Sequence, residues 1–340
     1  MEFYFDLGFI NEFHVKPLNG DFSENFRKFA GQLNGSRIYI ITESNIEITK
    51  ELLDQYPLLR LIFNCGGRPN FINNEEIKQK LNHPNTSGFK CFFINDYSAK
   101  NLREDYGYFA VNFLEAQEDE KLFSRDRQDL KKIPDKDNAG EEFFNSWAVL
   151  KSFQYPINSI IITDQFIFSK ITDEHLKINI LSILENIGLK RLNKCRVEII
   201  ILTSEIENEI RLKEIYELIK SSLNRLIGKD EFHLTICKFS KSKNVKKIHD
   251  LHFRHIFTNF LSIESHNSFT FFKKDKNNNI IPRSQEPVNF EHLIWKSAIT
   301  RLRESSKAKK NAFEAAVEEE KEGIKDVLLS NNPSRNSKLL

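Results

Sequence analysis

The sequence predicts an α/β protein of two domains, and three observations carry that expectation. Its 340 residues correspond to about two domains, with ample length for buried cores. From Ser159 to Phe239 the chain alternates strand and helix patterns in a β-α-β-α-β rhythm. That rhythm implies a mixed, mostly parallel sheet with helices on both faces. Between Leu114 and Glu142 the chain becomes dense in charge, with Pro134 and Gly140 and little to bury, as a solvated connection does. The organisation expected is a smaller α/β domain over 1–115, a charged linker over 116–142, a larger α/β domain over 143–307, and a charged helix with a disordered tail over 308–340.

In the first domain, Ser36–Ile41 is a β-branched and aromatic run bounded by Gly35 and Thr42, which reads as a buried strand. Ile46–Tyr56 has helical spacing, with Leu52 and Leu53 inward. Leu59–Asn64 and Phe89–Asn95 read as two further strands, the former stopped by Cys65-Gly66-Gly67. Gly66-Gly67-Arg68-Pro69 lacks the helix start and Lys-Ser/Thr of a phosphate loop and reads as a turn.

In the second domain, Ser159–Phe168 is a strand with a carboxylate, Asp164, near its middle. Asp173–Ile187 is an amphipathic helix, with Leu176, Ile180, Ile183 and Leu184 on one face and Gly188 as its stop. Arg196–Thr203 and Phe232–Phe239 are strands flanking a long helix over Ser204–Ile227. Arg254–Ile263 and Ser268–Phe272 follow as short strands, Glu291–Lys307 and the charged Lys309–Leu329 as helices, and the polar Ser330–Leu340 as a disordered end.

Composition narrows the class. Apolar residues make up 40% and charged residues 29%, with 12 Gly and 9 Pro, which excludes collagen-like and low-complexity chains. A net charge of +2 argues against a globally basic coat for nucleic acid and leaves room for a local patch. Thirty Phe against two Trp and one Met read as compositional bias, alongside abundant Ile, Lys and Asn. The four cysteines form no C-x-x-C, which points away from a disulfide framework and toward a reducing cytoplasm. Met1–Phe13 carries Glu2 and Asp6 and no basic stretch, unlike a signal peptide, and no apolar run approaches the ~20 residues of a membrane span. No cofactor is implied.

The chemistry concentrates in Ile248-His-Asp-Leu-His-Phe-Arg-His-Ile-Phe-Thr-Asn-Phe260, with His249, His252, His255 and, further on, His266. Three readings compete. Histidines three apart share a helical face and suit zinc, but Phe253, Ile256, Phe257 and Thr258 favour a strand, where such residues point to opposite faces. The second reading is phosphodiester chemistry: on a strand, His252 and Arg254 share a face, so an imidazole and a cation converge on one phosphate. In the third, the histidines are surface-exposed or satisfied at a sheet edge, with Arg254 paired to Glu264 or Asp250.

His252, Arg254 and Asn259 stand at offsets of zero, two and seven. In this spacing the chain resembles the phospholipase D superfamily motif, H-x-K-x4-D, with Arg for Lys and Asn for Asp. The segment Glu264-Ser-His-Asn-Ser268 occupies the place of the family's small-residue segment, without its Gly-Ser pair. The resemblance spans Ile160–Phe272, about a third of the chain, and is similar to the single-motif bacterial and defence-associated branch and to the phosphoinositide-binding variant.

The resemblance implies His252 as nucleophile or acid, Arg254 as phosphate clamp, and Asn259 as the orienting group. It also implies a metal-independent nuclease that dimerises to supply two imidazoles. The alternative is a non-catalytic nucleic-acid- or phospholipid-binding or assembly module, with the N-terminal domain recruiting a protein partner. Lys243, Lys246 and Lys247 precede the motif as phosphate-binding candidates, and Lys273-Lys-Asp-Lys276 with Arg283 adds cations beyond it. His14-Val-Lys16 through Asp21 matches the motif letters but is turned by Pro17 and Asn19-Gly20.

Overall fold

The computed structural model describes residues 2–15, 20–31, 33, 36–43, 49–82, 90–118, 128–130, 146–153, 155, 157–169, 171–203, 209–238, 254–283, 288–292, 300, 310, 314, 316–323 and 328–332. Within the first 118, β1 (Glu2–Asp6), β2 (Arg37–Ile41), β3 (Pro69–Ile72), β4 (Lys90–Phe93) and β5 (Phe109–Val111) form one sheet ordered β3-β2-β1-β4-β5. All its pairings are parallel. The described helices around it are α1 (Leu7–Val15), α2 (Gly20–Ala30), α3 (Lys50–Gln55), α4 (Pro57–Asn64), α5 (Asn74–Asn82), α6 (Ala99–Tyr106) and α7 (Phe113–Glu118).

Side-chain alternation along β1 divides these helices between two faces. Phe3 and Phe5 share a core with Phe9 of α1, Phe26 and Phe29 of α2, and Leu59 and Ile62 of α4. Tyr4 joins Ile77 of α5 and Leu102 of α6 in the other cluster. The winding therefore reverses between β1 and β4, the arrangement of a doubly wound sheet. The many phenylalanines now have a structural role: Phe5 stacks on Phe93 at 5.0 Å, while on the opposite face Tyr4 stacks on Tyr39 at 4.9 Å and on Phe92 at 4.6 Å. Such cross-strand aromatic pairs pin the register.

Leu59–Asn64, expected as a strand, is helical. Pro57 is preorganised for the first turn, and Leu58, Leu59 and Ile62 fall on one buried helical face, so packing overrides a run that is also compatible with a strand. The strands missing from the expectation are β1, β3 and β5. The Gly66-Gly67 turn forms as expected, with Gly66 at φ 84° and a Cβ on Gly67 placed 2.8 Å from the Ile62 carbonyl.

The second sheet comprises β6 (Gln128–Leu130), β7 (Ser159–Thr163), β8 (Val197–Thr203), β9 (Phe232–Lys238), β10 (Arg254–Thr258), β11 (Leu261–Ser265), β14 (Val288–His292) and β15 (Leu328–Ser330), in the order β15-β9-β8-β7-β10-β11-β14-β6. A separate ribbon pairs β12 (Phe272–Lys274) with β13 (Ile280–Pro282). A 3-10 helix, Trp147–Phe153, precedes β7. Asp173–Leu176, Lys177–Leu181 and Ser182–Asn186 form one helix, α8, whose middle is a π turn, and α9 is Glu209–Leu226.

The sheet is mixed, as expected, but its parallel pairings are confined to β7-β8-β9. Arg254–Ile263 is not one strand: Asn259 and Phe260 turn it into the β10–β11 hairpin, a connection too short for anything but antiparallel pairing. Three further differences concern the periphery. β6 lies inside the expected linker and extends the sheet by pairing with β14. Glu291 and His292 belong to β14, and the rest of that expected helix, apart from Thr300, lies outside the described residues up to Lys307. Residues 316–321 are helical, as expected, whereas Leu328–Ser330 adds a strand against β9. No helix among the described residues is long and apolar enough to cross a membrane.

The two sheets meet through the C-terminal end of α6. Its last carbonyls have no partner within the helix and accept bonds from the second domain: Glu104 from Asn193 N, Asp105 from Lys194 N, and Tyr106 from the Asn158 amide. Phe109, Tyr155 and Phe260 pack together beside them.

Lys90, at 1% exposure, places its ammonium 2.6 Å from the Lys80 carbonyl. Burial pushes its pKa from 10.5 down to about 8, with Glu2 opposing the shift and Lys80 adding to it. The unfolded chain thus binds the extra proton between pH 8 and 10.5. The lysine's contribution to stability therefore rises with pH through that window. Urea unfolding across this window should show a rise in stability that Lys90→Met reduces.

Candidate functional site

β7 runs parallel to β8 on one side and antiparallel to β10 on the other. The chain winds from β7 to β8 and β9 on one side and then returns to β10 on the other, so the β7/β10 boundary is this sheet's switch point, the place where α/β sheets open a crevice at the strands' C-terminal ends. Asp164 lies buried at that boundary directly after β7, beyond the strand's end and not at its middle as expected. Arg254, the first residue of β10, faces it.

Asp164 is 1% exposed. Its Oδ1 accepts from Phe166 N at 2.9 Å, and its Oδ2 from Ser268 Oγ at 2.6 Å and Phe269 N at 2.7 Å. Arg254 Nε lies 3.6 Å from Oδ1, an ion pair without a hydrogen bond. Burial pushes the Asp164 carboxyl above the usual carboxylate range, against the pull of these three donors and the guanidinium. Arg254 Nη1 donates to the His266 carbonyl, and the guanidinium lies 5.5 Å above the Phe166 ring. Among the described residues nothing accepts from Nη2, and the side chain retains 20% exposure. A fixed cation with one open N–H pair is an anion clamp in chemical type.

The expected site is thus only partly assembled. Arg254 is in the crevice, paired to Asp164 rather than Glu264. His252, Asp250, Lys243, Lys246 and Lys247 lie outside the described residues, as does His249. His255 is buried on the opposite face, stacked on Phe257 at 5.0 Å, and the described residues include no metal-binding cluster of three His, Cys, Asp or Glu. Sequence reasoning noticed Asp164 but not its role. The usable signal was an acid immediately after an apolar strand, beside a small-residue segment ending in Ser268.

Asn259 is the correction. It sits at the other end of β10, five residues from Arg254, or about 16 Å at strand rise. It cannot orient groups around Arg254. At 1% exposure its amide donates to the Gly107 carbonyl at 2.9 Å, and its Oδ1 accepts from Asn158 N at 3.1 Å. It ties the second sheet to Gly107, which ends α6 in the left-handed conformation, φ 62°. The site needs both a donor and an acceptor, which explains Asn rather than Asp here. His14 closes α1 rather than standing in a turn.

The first sheet's own switch point is closed by a carboxylate. Asp6 accepts from Phe9, Asn95, Asp96 and Tyr97 backbone N–H groups, and Asp96 accepts from Gly8 N at 2.9 Å. A Cβ on Gly8 would meet the Asp96 carboxylate at 2.2 Å, so the two loops are in direct contact.

Comparison with known families finds no matching family model, and comparison with curated proteins finds no match.

Two outcomes follow for stability. Asp164→Ala strands a partly buried guanidinium and three donors, and chemical denaturation should show a loss of about 3 kcal/mol. Asn259→Ala should cost about 1–3 kcal/mol by the same measurement while leaving anion binding at Arg254 unchanged.

Proposed function

We propose that the chain binds a phosphodiester, that of a nucleic acid, in the β7/β10 crevice, with Arg254 as the clamp. The observation that carries this reading is a guanidinium held at the sheet's switch point by a buried carboxylate, with Nη2 open among the described residues. Asp164 offsets part of the cation's charge but also fixes its direction, which lowers the ordering cost of binding. Lys243, Lys246 and Lys247 would extend the cationic border. The four free thiols suit a reducing, cytoplasmic setting.

In the catalytic form of this reading, which follows the phospholipase D resemblance and its bacterial-defence context, His252 acts as nucleophile or leaving-group acid without a metal. Two copies then pair about a two-fold axis to supply both imidazoles. The position of Asn259 favours a second form, in which the crevice binds without turnover: its amide is committed to Gly107 and Asn158 and lends nothing to an imidazole near Arg254.

Filter binding with a single-stranded oligonucleotide tests the common element. Arg254→Gln, which keeps a donor for the His266 carbonyl, should weaken affinity at least tenfold, the loss of one charge-assisted contact. Unchanged affinity would remove the clamp from the site. Turnover that resists a chelator and disappears in His252→Ala selects the catalytic form, and binding without turnover selects the other.

A further inference from the structure

The β12–β13 ribbon leaves the rim of the same crevice, four residues after Ser268, and its root is held firmly. Phe271 and Phe272 are buried, and Phe272 packs edge-on to Trp147 at 5.8 Å. The Asn179 amide spans the Phe272 backbone, accepting from its N–H at 2.8 Å and donating to its carbonyl at 2.9 Å. Asn179 stands in the π turn of α8, a distortion frequent at functional positions. On the returning strand, Arg283 N donates to the Phe271 carbonyl, and the Arg283 guanidinium rests on His175.

Beyond this root the outgoing strand and the turn are polar and cationic, while the returning strand carries Ile280, 43% exposed, and Ile281. Lys273, Lys274, Lys276 and Arg283 stand against a single acid, Asp275. That acid is occupied locally: it accepts from Asn277 N, Asn279 N and the Asn279 amide, closing a turn in which Asn278 has φ 65°. Lys274 pairs with Glu174 at 3.0 Å, whereas Lys273 and Lys276 are exposed and make no ion pair among the described residues. The tip is three consecutive exposed amides, Asn277-Asn278-Asn279.

We propose that this ribbon is a groove-reading arm for duplex DNA, which lies with its amide tip against base edges while the phosphate backbone passes Lys273 and Lys276 toward Arg254. The inference rests on the phosphodiester reading of that crevice and narrows its substrate class. A two-stranded ribbon fits the B-form major groove, about 12 Å wide, whereas the A-form groove is too deep and narrow for side chains to read. From Phe272 to Lys274 the paired strands span about 7 Å at strand rise, and the turn that carries Lys276 projects beyond them. Charge complementarity supplies the attraction, and Asn amides supply the paired donor and acceptor that adenine edges take.

The test compares wild type with the double variant K273Q/K276Q on a 20-base-pair DNA duplex, the matching single strand, and a thymidine dinucleotide, across a salt series. The expected result is preference for the duplex, with the variant's slope of log affinity against log salt shallower by about 1.8, two phosphate contacts' worth. Dinucleotide binding should stay unchanged. The inference is overturned if wild type does not prefer the duplex, if the variant's duplex affinity and slope match wild type, or if the ribbon's lysines govern binding to phosphatidylserine vesicles instead. Failure of the crevice reading shows separately, as dinucleotide binding that Arg254→Gln leaves unaffected.

Discussion

A single buried carboxylate organises the second domain's C-terminal edge. Asp164 receives bonds from Phe166, Ser268 and Phe269 and an ion pair from Arg254. It therefore joins the end of β7, the start of β10 and the segment leading into the ribbon. An anion with no exposure must be surrounded by donors, and this requirement draws together segments about a hundred residues apart in sequence. The cation that completes the shell is the one group with a direction left open. The ribbon beyond it inherits its base from the same set of bonds.

The first domain uses the same device to the opposite end. Asp6 is the last residue of β1, at a switch point, and burial raises its carboxyl too, against the pull of backbone donors. Those donors come from the first turn of α1 and the segment after β4, and among the described residues no arginine pairs with it. The shell is complete, and the loops after β1 and β4 are drawn together. Two sheets, each with an acid at the corresponding place, thus differ in what completes the acid's coordination.

Legibility in the sequence followed the locality of the cause. The amphipathic helix ending at Gly188 and the strands Val197–Thr203 and Phe232–Lys238 were legible because periodicity and stop residues act within a few positions. Leu59–Asn64 misled because a short apolar run suits either state until its neighbours are known. Asn259 misled for another reason. Its spacing from Arg254 is a statement about sequence distance, and on an extended strand five residues carry a side chain to the far end of the sheet.

What the sequence determined by itself was the class of fold, the succession of elements from β7 to β9, and the placing of Arg254 near the start of a strand, since all of these depend on neighbours within one turn or one pleat. Only the tertiary structure decided that Asp164 and Ser268 meet Arg254, and that Asn259 joins two domains. Those partners are chosen by the cost of leaving a buried polar group unsatisfied, a quantity defined only once the chain has folded around it.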